Sequence, residues 1–86
     1  MDRFRKKIDR IDEQLVKLLD ERMNLAFELG KLKKSEGRGV FDANREEEVF
    51  NKLQALPKQT IRDDEIKELY EQIIRISRLH GERGMR

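Results

Sequence analysis

The sequence predicts an all-α fold of three helices, one of them very long, forming an intertwined homodimeric helical bundle. Composition points there first. The chain is 36% hydrophobic and 44% charged, with a single Pro, the Glu/Lys/Arg/Leu-rich balance of long amphipathic helices. Periodicity agrees: apolar side chains recur at alternating spacings of four and three, which lines one face of a helix. The third observation is one of length. The first periodic stretch is longer than the remainder of so short a chain can cover.

Taken in order, the first stripe runs Phe4, Ile8, Ile11, Leu15, Leu18, then Arg22, Leu25, Leu29 and, one past Leu32, Lys33. No Pro and only Gly30 interrupt it, so helix 1 is predicted over about Asp2 to Ser35. The segment Glu36 to Phe41, with Gly37 and Gly39, breaks the pattern. Helix 2 is predicted over about Asp42 to Leu56, with Asp42 a good N-cap type, Val49, Phe50, Leu53 and Leu56 on one face, and Pro57 as the stop. Helix 3 is predicted over about Thr60 to His80. Asp63, Asp64 and Glu65 suit the positive end of its dipole, and Ile66, Leu69, Tyr70, Ile73, Ile74, Ser77 and His80 form its stripe. Gly81 and Gly84 predict that residues 81–86 fray or begin a linker.

The 86 residues make a single domain, since two cores would not fit. A helix of some 33 residues is about 50 Å long, whereas a compact domain of this size has a radius of gyration of about 12 Å. Helices 2 and 3 cannot cover it throughout. A second copy, with the long helices paired, is the simplest cover. The chain has no Cys, which excludes disulfides and thiolate-bound metal and fits a reducing cytoplasm. Neither a signal core nor a membrane-spanning run is present, so a soluble, cytoplasmic protein is expected. The net charge of +2 is small and the signs are mixed. With no basic block and few aromatics, nucleic acid is not an expected partner.

The informative residues are polar groups on apolar faces. Arg22 lies four after Leu18 and three before Leu25, and Lys33 lies four after Leu29. In helix 2, Arg45 is four before Val49 and Glu46 four before Phe50. In helix 3, Ser77 is four after Ile73. Arg5, one residue from Phe4 at the far end of helix 1, would reach a partner's centre if the long helices pair antiparallel. Taken singly, each has a plain explanation. Seam cations usually snorkel or pair with a carboxylate, Asp42 is a cap, Ser77 bonds back to its own helix, and His80 sits at the surface. Together they predict a polar, positively charged pocket between helices. Half-buried cations need an anion to meet them, either the protein's own acids or a bound ligand.

The runs Arg5-Lys6-Lys7-Ile8-Asp9-Arg10-Ile11-Asp12, Leu18-Leu19-Asp20-Glu21-Arg22 and Gly30-Lys31-Leu32-Lys33 resemble the all-helical, AroQ-type (type II) chorismate mutases. Val40-Phe41-Asp42-Ala43-Asn44-Arg45-Glu46 is similar to that family's D-x-x-R-E signature, and Ile73-Ile74-Arg75-Ile76-Ser77 to its third-helix motif. The resemblance covers about Phe4 to His80. It implies rearrangement of chorismate to prephenate, toward phenylalanine and tyrosine, in an intertwined dimer that needs no cofactor, metal or covalent intermediate. By position, Arg5 would come from the partner subunit to a substrate carboxylate, and Arg22 would bind a carboxylate within its own subunit. Lys33 would contact a carboxylate and the ether oxygen of the breaking bond. Asp42 and Glu46 would address the ring hydroxyl, Arg45 would hold the charge arrangement, and Ser77 would bond a carboxylate. Catalysis would rest on Lys33, Arg22 and Glu46. Gly81 departs from the pattern, since the family usually carries Gln or Glu there as a second donor to the ether oxygen. His80 or a protonated Glu82 would have to substitute, or the rate would fall.

The chemistry fits such a site. Chorismate is a dianion, and its concerted unimolecular rearrangement needs no nucleophile or general base. Holding the reactive conformer helps, as does a donor at the oxygen where negative charge grows. Rival expectations are an isochorismate-pyruvate lyase on the same fold, a regulatory domain fused to or partnering another shikimate-pathway enzyme, and a ligand-free dimerisation module. The last requires Arg22 and Lys33 to be neutralised by protein carboxylates.

Overall fold

Helix α1 spans Asp2–Ser35, α2 Ala43–Ala55 and α3 Asp63–Gly84 in this computed structural model, which describes residues 1–39 and 41–86. Val40, part of the second-helix motif, lies outside them. The described residues contain no strand.

Each boundary has a local cause. At the end of α1, Gly37 takes the left-handed conformation at φ +72°. The Gly37 N–H then donates to the Lys34 carbonyl at 3.1 Å and the Arg38 N–H to the Lys33 carbonyl at 2.7 Å. This paired closure satisfies carbonyls that the helix end would otherwise leave bare. Asp42 caps α2 as its residue type predicts, its Oδ1 accepting from the Arg45 N–H at 3.0 Å. Helix α3 starts at Asp63, later than Thr60, because residues 57–62 are used in a turn. Lys58 ties that turn together through the Gln54 and Leu56 carbonyls at 2.8 and 3.0 Å and through Asp63 at 2.6 Å. The Glu65 carboxylate closes the first turn by accepting the Arg62 N–H at 3.0 Å.

The far end of α3 corrects the sequence reading. The helix continues through Gly81 to Gly84 instead of fraying after His80. The glycines are there for close approach: a Cβ on Gly30 would collide with the Gly81 carbonyl, and one on Gly84 with the Phe27 carbonyl. Main chain meets main chain at this crossing, and both Gly81 and Gly84 are buried.

Helix α1 lays one face on α3, and α2 packs on α3 but not on α1. The covered face of α1 comprises Leu19, Arg22, Met23, Ala26, Phe27, Gly30 and Lys33, all at least half-buried. The larger apolar stripe beside it stays open, with Leu15, Leu18, Leu25 and Leu29 between 49% and 67% exposed. Among the described residues the only buried apolar side chain is Ile74. The chain measures 52 × 24 × 16 Å with a radius of gyration of 15.5 Å. Its accessible surface is 7287 Å², against about 5,400 Å² for a compact monomer of this mass. No helix is long and apolar enough to cross a membrane, among the described residues.

Candidate active site

Because α1 and α2 flank α3 with their backbones held apart, a cleft opens between them. Ile74, Ser77, Arg78 and Gly81 of α3 form its floor. Arg22, Leu25, Ala26, Leu29, Gly30 and Lys33 of α1 form one wall, and Arg45, Glu46 and Val49 of α2 the other. Its volume is about 290 Å³, close to the lower size range of small-molecule sites.

Arg22 crosses to α3, where its Nη1 donates to the Ser77 hydroxyl, with the guanidinium 5.9 Å from the Tyr70 ring centroid. Ser77 in turn donates to the Ile73 carbonyl at 2.8 Å. The hydroxyl thus bonds back to its own helix and still presents a lone pair to the cation. Arg22 is held by a neutral oxygen and an aromatic ring, not by a carboxylate. Lys33, half-buried, lines both this cleft and an adjoining hollow of about 410 Å³ bounded by Arg38, Gly39 and the segment Phe41 to Asn44.

On α2, Glu46 points across to α3 and accepts two hydrogen bonds from Arg78, one from Nε at 2.8 Å and one from Nη2. The Arg78 guanidinium also lies 4.7 Å from the Phe41 ring centroid. The bonds to Glu46 raise the Arg78 pKa above its ordinary value, against a smaller opposing effect of burial, so the guanidinium stays charged. Arg45 lines the cleft but is largely exposed, and pairs with Glu48 at 3.1 Å.

Four cations and one carboxylate therefore border the cleft, and that carboxylate is already engaged. Such a surface favours an anion of more than one charge. Among the described residues no group of His, Asp and Glu is placed to hold a metal ion.

The structure brings Arg22, Lys33, Arg45, Glu46, Ser77 and Gly81 together at one cleft. It does not bring Arg5 there. Arg5 and Arg22 are 17 positions apart on one helix, about 25 Å. Asp42 uses its carboxylate as a cap and faces the adjoining hollow. Gly81 contributes only backbone, and neither residue expected to compensate for it lines the cleft. His80 lines a separate hollow with Asp20, Glu21 and Phe27, and Glu82 is exposed. The sequence reading misses Arg78. Its signal is available, since Arg78 follows the buried Ile74 by four, the spacing that singles out Arg22.

A sequence profile described as chorismate mutase type II matches residues 4–82. The chain belongs to this family. Its fold is similar to that of the Thermus thermophilus chorismate mutase (form II), with a TM-score of 0.90 and 34% identity over 93% of this chain and 91% of that one. It is 36% identical over 63 residues to the chorismate mutase of Methanocaldococcus jannaschii, covering 73% of this chain and 64% of that protein. It is 41% identical over 56 residues to the bifunctional chorismate mutase/prephenate dehydratase of Aquifex aeolicus, covering 65% of this chain and 16% of that protein. The chain thus spans about a sixth of the bifunctional relative. The match of motif to family that the sequence suggests holds at the level of the whole fold.

Proposed function

We propose that this chain catalyses the rearrangement of chorismate to prephenate without a cofactor. The observation that carries the proposal is the cleft, where Arg22 and Lys33 face open volume and Arg22 is held by a hydroxyl. The ligand-free dimerisation module requires both Arg22 and Lys33 to meet carboxylates, and Arg22 meets Ser77 instead.

In this reading Arg22 clamps one substrate carboxylate, its geometry set in advance by Ser77. A guanidinium fork suits a planar carboxylate, and bidentate contact fixes orientation as well as position. Ser77 supplies a further polar contact. Lys33 bonds the ether oxygen, where negative charge accumulates as the C–O bond breaks. A donor in place beforehand stabilises that charge without reorganisation. Glu46 accepts from the ring hydroxyl, Asp42 assists from the α2 N-terminus, and Arg45 adds positive charge at the rim. Confining the extended dianion in the compact conformer supplies the rest of the acceleration. Gly81 leaves the ether oxygen with one donor fewer than is usual, which lowers the rate without changing the chemistry.

The active form in this proposal is a homodimer, supported by the open stripe of α1 and by an accessible surface about 1,900 Å² above that of a compact monomer. An antiparallel partner carries its own Arg5 toward this cleft and closes it. A fused or associated shikimate-pathway enzyme is a further element of the proposal, supported by the bifunctional name of the Aquifex aeolicus relative.

The test is loss of chorismate absorbance with appearance of prephenate, for the wild type and Arg22→Ala. Turnover above background in the wild type is expected, falling about 10²–10³-fold in the variant, the usual loss for one preorganised donor. A wild-type rate equal to background sinks the enzyme reading. Pyruvate released from isochorismate, with no prephenate made from chorismate, would point to the lyase.

A further inference from the structure

Helix α2 carries Glu46 and its backbone approaches α3 closely but not α1, so the placement of that carboxylate depends chiefly on what ties α2 to α3. Across that interface Arg78 makes the ion pair. It commits Nε and Nη2 to the two oxygens of Glu46, and its face lies against Phe41, at the end of the loop that enters α2. One guanidinium thereby grips both the loop and the first turn of the helix. The pair is partly shielded, with the Glu46 side chain 21% exposed and Arg78 40%. A two-point bond of this kind fixes the carboxylate plane as well as its distance. With the Nε and Nη2 edge engaged by Glu46, only the Nη1 side of the Arg78 guanidinium is left for any other acceptor.

From this geometry we infer that Arg78 is a positioning residue for the reaction. It holds the Glu46 carboxylate in the orientation that receives the substrate's hydroxyl, and it acts through Glu46 without touching substrate. The inference rests on the mutase reading above. It explains why a cleft selective for a dianion tolerates a carboxylate on its wall: the charge of Glu46 is matched by a dedicated cation from the floor. Its lone pairs remain able to accept a further hydrogen bond at an angle set by the fork.

The experiment measures kcat, KM and thermal midpoint for the wild type, Arg78→Lys, Arg78→Met, Glu46→Gln and the double variant Arg78→Met/Glu46→Gln. Lysine keeps the charge but cannot form the fork, and methionine keeps much of the stem. The expected result is a kcat roughly tenfold or more below wild type for Arg78→Met, a smaller loss for Arg78→Lys, and KM within about threefold throughout. The decisive reading is non-additivity. If Arg78 works through Glu46, the double variant is no slower than Glu46→Gln alone, whereas independent roles multiply their losses.

Multiplied losses, or a raised KM at unchanged kcat, overturn the inference, the latter by making Arg78 a substrate ligand. A lowered midpoint with wild-type kcat in the folded fraction also overturns it, by leaving Arg78 structural. Should Arg78→Met not fold, Arg78→Lys with Glu46→Gln completes the same cycle. An inactive wild type removes the mutase reading itself, while an active one with a silent Arg78 removes only this inference.

Discussion

The two halves of α1 follow the same repeat, yet the chain treats them differently. From Leu19 onward one face lies on α3, with Ala26 and Gly30 small enough to bring the backbones together. From Asp2 to Leu18 every residue is exposed, including Phe4, Ile8, Ile11 and Leu15. The covered half holds Arg22 and Lys33, and the bare half holds Arg5. An uncovered apolar stripe of this length is far larger than monomers usually tolerate. What the contrast teaches is that amphipathic periodicity reports a face that will be buried, without saying whether its partner lies in the same chain.

The sharpest way to break the contrast is a charge on the bare half. Leu15→Glu is expected to abolish assembly and, with it, most of the folded state, because among the described residues only Ile74 is a buried apolar side chain within one chain. Light scattering and circular dichroism read this directly, and a folded, active single chain would refute the role given to that surface. Next in size is the link between halves. Arg5→Ala and Lys33→Ala are each expected to lose about 10²-fold or more in kcat/KM, yet mixing the two after subunit exchange should restore about a quarter of wild-type activity, since half of the dimers then carry one intact site. No recovery in a mixture shown to exchange would place Arg5 outside the partner's cleft. Last is a change on the covered half. Gly30→Ala pushes a methyl group into the Gly81 carbonyl and should cost about 3 kcal/mol or more, since backbone cannot repack as a side chain does, lowering the midpoint by some 4–8 °C per kcal/mol. An unchanged midpoint would mean that the crossing can open without penalty.

Much of this is legible in the residues, and the gaps have physical reasons. Asp42 and Pro57 bracket α2 because capping and ring closure are local chemistry. Arg22, Lys33, Glu46 and Ser77 stand out because a charge or hydroxyl in an apolar register contradicts its surroundings. The face of α1 that meets α3 is hidden, because Ala26 and Gly30 read as gaps in a stripe when they are in fact the contact. The start of α3 is misplaced because the Lys58 bonds that close the preceding turn depend on three-dimensional approach. Gly84 looks like a helix breaker, yet it ends a helix whose neighbour needs it bare. Arg78 escapes notice because it stands beside Ser77, and only the structure shows which acid it faces.

The meeting of Gly30 with Gly81, and of Gly84 with Phe27, gives the cleft an origin of coordinates. Side-chain cores shift by tenths of an ångström when a methyl group is gained or lost, but two peptide backbones in contact have nothing left to yield. The interval between Arg22 and Ser77 is therefore gauged from main chain, a short way along the same two helices. Surface and interface residues can drift in such a protein while the spacing presented to a ligand stays constant.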